Sequence, residues 1–260
     1  MKSKKIAMAA MLLALTAGSA FAADSVGYNY LALPAHSDAL LTVPFNQAIE
    51  GTFTVSTVTG TGVTVAGPLV AGAFANTSFV RFTSGTGEGL WSTISNNTTN
   101  AITFADTSIL SQISAGDTFV VYPHETLATV FPDGLKNVSF EASPSAFSRT
   151  TEILIPNTTA IGINKPASAT YFFLNNEWRK VGSAPTANFN DTVLPPQQYF
   201  ILRNGGNNSL KFFTLGENAS IPVARLLTKS AQSNDVSAGS GFPLSISLAD
   251  LNLGGTPAFE

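Results

Sequence analysis

The sequence predicts an all-β protein, built as a β-sandwich or as barrel-like subdomains of short antiparallel strands, with little helix after the first 22 residues. Apolar and hydroxyl residues alternate with period two in several segments, as in residues 52–58 (TFTVSTV). Glycine- and asparagine-rich turn signals recur about every ten residues. No amphipathic pattern of three or more helical turns follows residue 22.

The first half of the chain contains regularly spaced strand candidates. Residues 52–58 and 63–65 form a hairpin candidate around Gly60-Thr61-Gly62. A short helical turn is expected within residues 107–114. The further strand candidates are residues 78–83, 89–95, 101–104 and 117–122. Short strands at this spacing are typical of a sandwich or a barrel.

The second half repeats the pattern. Asn175-Asn176 is expected to be a tight hairpin turn, and residues 204–208 (NGGNN) a second turn, because Asn and Gly tolerate positive φ. Residues 231–240 have the composition of a loop. The strand candidates here are residues 151–155, 159–163, 170–174, 178–181, 198–203, 210–214 and 245–253.

The chain divides into an N-terminal β region at residues 23–133 and a C-terminal β region at residues 134–260. The boundary is soft, since it rests on a turn at Pro132-Asp133-Gly134 and a poorly packing stretch after it. The strand candidates at residues 28–33 and 40–45 could pair with either half, so a single folding unit stays open as an alternative.

The N-terminus carries an export signal. Three lysines precede an apolar run over residues 6–15, and the small-residue site Ala20-Phe21-Ala22 follows. This pattern predicts a secretory signal peptide, residues 1–22, cleaved after Ala22. The apolar run is shorter than the roughly 18 to 20 residues that a membrane-spanning helix needs. We therefore expect an exported protein without a helical membrane anchor, located in the periplasm, on the outer surface or outside the cell.

The charge of the chain excludes one class of partner. The full sequence has 13 basic and 16 acidic residues, and removal of Lys2, Lys4 and Lys5 leaves ten basic residues and a formal charge of −6. Nucleic acid binding depends on clustered Lys and Arg, so no nucleic acid partner is expected. An outer-membrane barrel is disfavoured, because the strands are shorter than the 9 to 11 residues needed to cross.

Catalytic motifs are absent from the sequence. With no cysteine and only His36 and His124, we expect neither a metal site nor a cofactor. A Gly-x-Ser-x-Gly elbow is missing, which leaves a histidine-centred site at His124 as the simplest hydrolase. An acid pair is the other hydrolase alternative, with candidates Glu88, Glu125, Glu152 and Glu177, although no spacing singles out a pair.

A ligand platform made of aromatic side chains is the remaining site hypothesis. Flat rings stack on the apolar face of sugars, and Trp91, Trp178 and Tyr199 are the candidates, with Glu88 as a neighbouring acid. Consecutive apolar residues around Tyr171 and Phe200 predict strands covered on both faces, so most of these rings are expected in the core. If the chain does not cover both faces itself, a partner subunit must do so.

Six segments of the chain combine turn and packing residues: residues 24–28 (DSVGY), 84–91 (SGTGEGLW), 115–118 (AGDT), 127–132 (LATVFP), 178–182 (WRKVG) and 194–196 (LPP). Together they resemble an uncharacterised family of secreted β-rich proteins of Verrucomicrobia-like bacteria. The resemblance covers nearly all of the chain after the signal peptide and implies no activity, cofactor or catalytic residue. A looser resemblance, over residues 80–123, is to β modules of phage tail and surface fibre proteins.

The sequence thus favours an exported, non-enzymatic β-protein that acts through its surface as an envelope or extracellular structural or adhesion component. Its expected partners are further copies of itself, other envelope proteins, or a polysaccharide. One alternative is a protein similar to a carbohydrate-binding module that uses exposed aromatic residues. A secreted hydrolase with an unrecognised acid pair is the other.

Overall fold

The computed structural model describes residues 26–43, 45–131, 141–157, 163, 165–196 and 198–217. In these ranges the protein is all-β, with antiparallel strands, one 3₁₀ turn at Ser108–Gln112 and one short helix, α1, at Leu127–Val130. The fold class expected from the sequence is therefore confirmed. The strands are β1 Val26–Leu33, β2 Ser37–Thr42, β3 Gly51–Val58, β4 Gly62–Val65, β5 Ser78–Phe82, β6 Trp91–Asn97, β7 Ala101–Phe104, β8 Thr118–Pro123, β9 Glu125–Thr126, β10 Thr151–Pro156, β11 Ala167–Leu174, β12 Glu177–Lys180, β13 Val193–Leu194, β14 Tyr199–Asn204 and β15 Leu210–Glu217.

Strands β3 to β8 form a closed six-stranded antiparallel barrel in the order β3-β4-β7-β6-β5-β8. Because side chains alternate along a strand, every second residue points inward, and a continuous apolar cluster fills the interior. Phe82 lies at its centre, with ring centroids 5.5 Å from Phe119 and 6.1 Å from Phe104. Gly62 has no side chain because a Cβ there would lie 1.9 Å from the carbonyl oxygen of Ile102.

A five-stranded antiparallel sheet, in the order β12-β11-β10-β14-β2, makes up the second unit together with the two-stranded β1-β15 ribbon. One face of the sheet packs on a separate apolar core. Phe131, next to helix α1, lies in this core, with ring centroids 5.5 Å from Trp178 and 5.7 Å from Phe200. The ribbon contributes the buried side chains Leu33 and Phe212.

The two N-terminal strands belong to this second unit. Strand β2 pairs with β14 from Ser37↔Asn204 to Thr42↔Tyr199, and β1 pairs with β15 along its full length. The alternative left open by the sequence is therefore resolved in favour of the C-terminal half. The barrel, residues 51–123, lies in the chain between β2 and β9. The division at residues 133 and 134 stays a prediction.

Asn204 joins the turn between β1 and β2 to the turn between β14 and β15. Its buried Nδ2 donates hydrogen bonds to the carbonyl oxygens of Leu33, Pro34 and Asn208, at 3.3, 2.8 and 2.9 Å. Its Oδ1 accepts a hydrogen bond from the backbone N–H of Gly206 at 3.1 Å. One buried side chain therefore binds carbonyl groups in both turns, and its own polar atoms are hydrogen-bonded, as burial of a polar group requires.

The expected turns occur where the structure describes them. Asn175 and Asn176 both have positive φ, 53° and 62°, as a two-residue hairpin turn of type I′ requires. The helical turn expected within residues 107–114 is the 3₁₀ turn. The predicted signal peptide, the strand at residues 245–253 and the loop at residues 231–240 lie outside the described residues, as does most of the strand at 159–163.

Removal of a core ring from the barrel tests the packing. Phe82→Ala is expected to lower the free energy of unfolding by about 3 to 5 kcal/mol, because a fully buried ring is lost and a cavity remains. Urea unfolding followed by circular dichroism measures it. Phe147→Ala is the control, since Phe147 is 98% exposed, and should stay within about 0.5 kcal/mol of the parent. Equal effects in both variants would contradict this core.

The placement of β1 and β2 predicts different behaviour for two fragments. Residues 46–126 contain all barrel strands and the whole barrel core, so this fragment should unfold cooperatively on heating. Residues 134–260 lack β1 and β2 and should give no cooperative transition, because the sheet and the ribbon each lose a strand. Differential scanning calorimetry of both fragments checks this. Cooperative unfolding of the C-terminal fragment would show that β1 and β2 are dispensable.

Candidate interaction surfaces

The outer face of the five-stranded sheet carries a row of five residues, one on each strand, of which four are charged. Successive register pairs place Arg179, Phe172, Glu152, Arg203 and Asp38 side by side from β12 to β2. We call these five residues the charged row. In a chain with only 11% charged residues, this row is a marked concentration of charge on one face.

Ion pairs neutralise the charged row. Arg203 binds Asp38 through two parallel hydrogen bonds of 3.0 Å, which, as the main cause, raise the pKa of Arg203 above its ordinary value. Glu152 accepts a hydrogen bond from Arg149 Nε at 2.5 Å, and Arg179 pairs with Glu177. The Arg203–Asp38 pair is exposed and adds little stability, whereas Glu152 and Arg179 are largely buried. The consequence of these ion pairs is that the face presents charge without a net sign.

An apolar row lies beside the charged row on the same face. It comprises Val181, Thr170, Leu154, Ile201 and Leu40, which are one register step of two residues from the charged row. Leu40 is 66% exposed and Val181 41% exposed, and the middle residues are half-buried. The sheet thus has one face in the core and an apolar stripe on the other face.

Tyr199 and Trp178, two of the aromatic residues that the sequence proposed for ligand binding, lie on opposite faces of this sheet. Tyr199 is half-buried, and in register with Thr42 it continues the outer face one step beyond Ile201. Trp178 is 1% exposed, and its ring lies 5.3 Å from Phe173 on the core face. In this arrangement Tyr199 presents its side chain on an accessible face, and Trp178 packs the core.

Trp91 lies on the outer face of the barrel, whereas Tyr199 belongs to the five-stranded sheet. A row of register partners crosses four barrel strands there, in the order Trp91, Arg81, Val120 and Thr52. The indole is partly exposed and meets Phe79 edge to face, with centroids 5.9 Å apart. Glu88 is exposed in the turn before Trp91, where its backbone N–H bonds to the carbonyl of Gly85. The structure therefore places Glu88 near Trp91 in the chain and does not bring it to Tyr199 or Trp178.

Arg81 is the residue on this barrel face that sequence reasoning missed. It is 3% exposed, and its guanidinium carbon lies 5.5 Å from the ring centroids of both Phe79 and Tyr122. Burial lowers its pKa from the ordinary value, with a smaller opposing effect of Tyr122. The signal in the sequence was a single arginine inside the apolar strand SFVRF. A charged residue is rarely buried unless it has a partner, so an arginine in such a strand indicates a specific interaction.

A second pair of exposed aromatics was also missed. Tyr30 and Phe213 face each other on the outer face of the β1-β15 ribbon, with ring centroids 4.8 Å apart. Both side chains are exposed by more than a third. The pairing of distant strands creates this contact, so no local pattern in the sequence could have indicated it.

His124 directly follows barrel strand β8 and contacts residues of the barrel and of the segment that precedes β3. Its Nε2 is 3.0 Å from the hydroxyl of Thr93, its ring packs on Phe79 with centroids 5.1 Å apart, and its carbonyl accepts a hydrogen bond from Gln47 at 2.9 Å. No described residue pairs with Nδ1. Burial lowers the pKa of His124 to about 4, so the ring is neutral at pH 7.

The acid-pair candidates lie in separate environments. Glu152 and Glu177 are engaged by arginines at the outer face of the sheet. Glu125 follows His124 and accepts hydrogen bonds from Thr129 and Gln47, and burial raises its pKa against the opposing effect of these bonds. Within the described ranges, no three His, Asp or Glu side chains come together as a metal site.

Two asparagine side chains before β13 make structural hydrogen bonds. Asn190 Oδ1 accepts a hydrogen bond from the backbone N–H of Trp178, and Asn188 Oδ1 one from the backbone N–H of Asn190.

In the part of the chain that the structure describes, no helix has the length and apolar character needed to cross a membrane.

Comparison with protein-family models, with curated proteins and with solved structures finds no match for this chain. Its function must therefore be argued from its own surfaces.

The buried imidazole predicts a pH dependence of stability. Below pH 6.5 the imidazole of His124 is protonated in the unfolded chain, whereas in the folded protein it stays neutral down to about pH 4. Stability attributable to His124 is therefore complete above pH 6.5 and falls between pH 6.5 and 4, by at most about 3 kcal/mol. Urea unfolding at half-unit pH steps measures this loss.

Glu125 acts in the opposite direction, because its raised pKa favours the folded state at low pH. The His124→Gln variant keeps Glu125 and the bond to Thr93, so the difference between parent and variant isolates the histidine. The variant should lack the loss between pH 6.5 and 4. A parallel pH profile in the two proteins would contradict the burial of a neutral imidazole.

Proposed function

We propose that the protein is an exported, non-enzymatic structural or adhesion component of the cell envelope or the extracellular space, and that it associates with further copies of itself. The observation that carries this proposal is the apolar row on the outer face of the five-stranded sheet. An apolar stripe across several adjacent strands is typical of a surface that meets a partner. The signal peptide predicted at residues 1–22 supports the export.

A second copy suits this face for electrostatic reasons. The charged row begins with Arg179 at one edge of the sheet and ends with Asp38 at the other. A two-fold axis that lies in the plane between two facing copies, perpendicular to the charged row, places the Asp38 end of one copy over the Arg179 end of its partner. Since the row is neutralised internally, two faces that approach each other meet no net like-charge repulsion.

The apolar rows of two copies would then bury Leu40 and Val181 against each other. Exposed leucine and valine side chains gain free energy when they leave water, at roughly 25 cal/mol per Å². Edge strand β2 carries Leu40, and a lysine introduced there would bring two like charges into such an interface.

Light scattering across a tenfold concentration range tests this association. The parent protein should show a mass that rises with concentration. Leu40→Lys should need at least about tenfold higher concentration to reach the same mass, because it buries an unpaired charge. Val70→Lys is the matched control, since Val70 is 76% exposed on the barrel and outside the sheet face, and it should behave like the parent.

A parent protein that stays monomeric over the whole range would refute self-association. Equal weakening by Leu40→Lys and Val70→Lys would refute the sheet face as its site. Both variants replace an exposed aliphatic side chain, so equal thermal unfolding temperatures are expected and confirm that the comparison is made between folded proteins.

Carbohydrate binding is the second candidate, favoured by the partly exposed indole of Trp91 on the barrel. An indole at a flat strand surface can stack on the C–H face of a sugar ring. Thr52 is exposed in the same register row, three strands from Trp91, where its hydroxyl could contact a further sugar unit of an oligosaccharide.

A glycan-binding assay with Trp91→Ala tests this second candidate. The parent should bind at least one immobilised polysaccharide, and Trp91→Ala should lose most of that binding because the stacking surface is gone. Phe147→Ala removes an exposed ring in the loop before β10 and serves as the control. Binding that survives in Trp91→Ala would exclude this indole as the platform.

A further inference from the structure

The guanidinium of Arg81 is buried without the hydrogen bonds that a buried charge requires. Neither Nε nor Nη1 has an acceptor among the described residues, and no ion pair within those ranges includes Arg81. Desolvation of an ionised group is expensive unless the group is paired and hydrogen-bonded. The Nε and Nη1 groups of Arg81 are therefore hydrogen-bond donors that are removed from water and have no acceptor among the described residues.

The neighbouring rings account for only part of the stabilisation of this charge. Phe79 and Tyr122 attract the cation, each with a ring centroid 5.5 Å from the guanidinium carbon. A ring attracts a cation through its face, whereas the N–H bonds of a guanidinium point outward in its own plane. The two aromatic contacts therefore leave hydrogen-bond donors for an acceptor that is not a ring.

A planar carboxylate is the acceptor that fits a guanidinium best. It can accept two parallel N–H bonds, as Asp38 does from Arg203 on the sheet. A second cation beside Arg81 would suggest a phosphate-rich ligand instead. Its register partners are the uncharged Trp91 and Val120, so the row offers one positive charge only.

The position of Trp91 identifies the molecule that carries the carboxylate. Trp91 pairs directly with Arg81 across β5 and β6 and is partly exposed, so the indole is the part of this pair that a ligand meets first. The Nε and Nη1 atoms of Arg81 are themselves buried, and a carboxylate reaches them only when the neighbouring side chains move. An indole and one guanidinium match two parts of a uronic acid, its C–H face and its carboxylate. An acidic peptide would need no flat ring.

We infer that Arg81 and Trp91 form a binding site for acidic polysaccharide, in which Arg81 binds the carboxylate of a uronic acid and Trp91 stacks on its ring. This inference rests on the second candidate function, because it assigns the class of sugar to the platform at Trp91. It is independent of self-association through the sheet face. The net charge of −3 of the whole chain disfavours nonspecific binding of polyanions, so binding must come from the local site.

Calorimetry with a matched pair of ligands tests the inference on the full parent protein. The first ligand is an oligogalacturonate, and the second is the same oligomer with every carboxyl group methyl-esterified. Esterification removes the charge and keeps the rings and hydroxyls. The parent should bind the acid at least about tenfold more tightly than the ester, since a bond to a charged group is lost.

Two arginine variants identify the residue responsible. Arg81→Gln should reduce the affinity for the acid to that for the ester. Arg81→Lys keeps the positive charge and loses the planar guanidinium group. Its affinity for the acid should therefore lie between the parent's affinity for the acid and that for the ester. Arg203→Gln is the matched control, because it removes the same charge from an exposed pair on the sheet, and it should bind like the parent. Thermal unfolding of each variant verifies the fold.

The outcomes separate the inference from the function on which it rests. Equal binding of acid and ester by the parent, lost in Trp91→Ala, would keep carbohydrate binding and overturn the role of Arg81. No binding of either oligomer, or of any other polysaccharide, would overturn both. Tighter binding of oligoglutamate than of oligogalacturonate would overturn the assignment to a sugar and point to an acidic peptide.

Discussion

Antiparallel pairing between β2 and β14 is the constraint on which the rest of the structure depends. It brings the N-terminal segment to the edge of a sheet whose other strands lie more than 100 residues later in the chain. The buried amide of Asn204 secures this arrangement by bonding to carbonyls on both sides of it. The chain must then leave this sheet after β2, form the barrel, and return to the same sheet at β10. This fixes where the first and last barrel strands lie.

That constraint explains the junction at His124. The chain enters the barrel after Asn46 and leaves it after Pro123, and the amide of Gln47 donates to the carbonyl of His124 where these two segments pass. The imidazole is buried at the same place against Phe79 and Thr93. His124, which the sequence offered as a general base, is in this geometry a neutral, buried imidazole packed against barrel residues.

The outer face of the five-stranded sheet and the outer face of the barrel differ in how their charged side chains are paired. The sheet face collects arginines and carboxylates into neutral pairs beside an apolar row, which suits contact between protein surfaces. The barrel face buries one arginine among aromatic rings and gives it no partner within the described ranges. In a chain with only 11% charged residues, each face therefore places its few charges differently.

The sequence by itself determined the fold class, most strand positions and the turns at Asn175-Asn176 and Asn204, because alternation and positive φ are local properties. It nominated Trp91 and Trp178 alike, since composition cannot distinguish an indole on the outer face from one in the core. Tertiary structure alone decided the closure of the barrel, the pairing of β1 and β2, and the charged row. Each of these depends on register between strands far apart in the chain, and no local pattern encodes it.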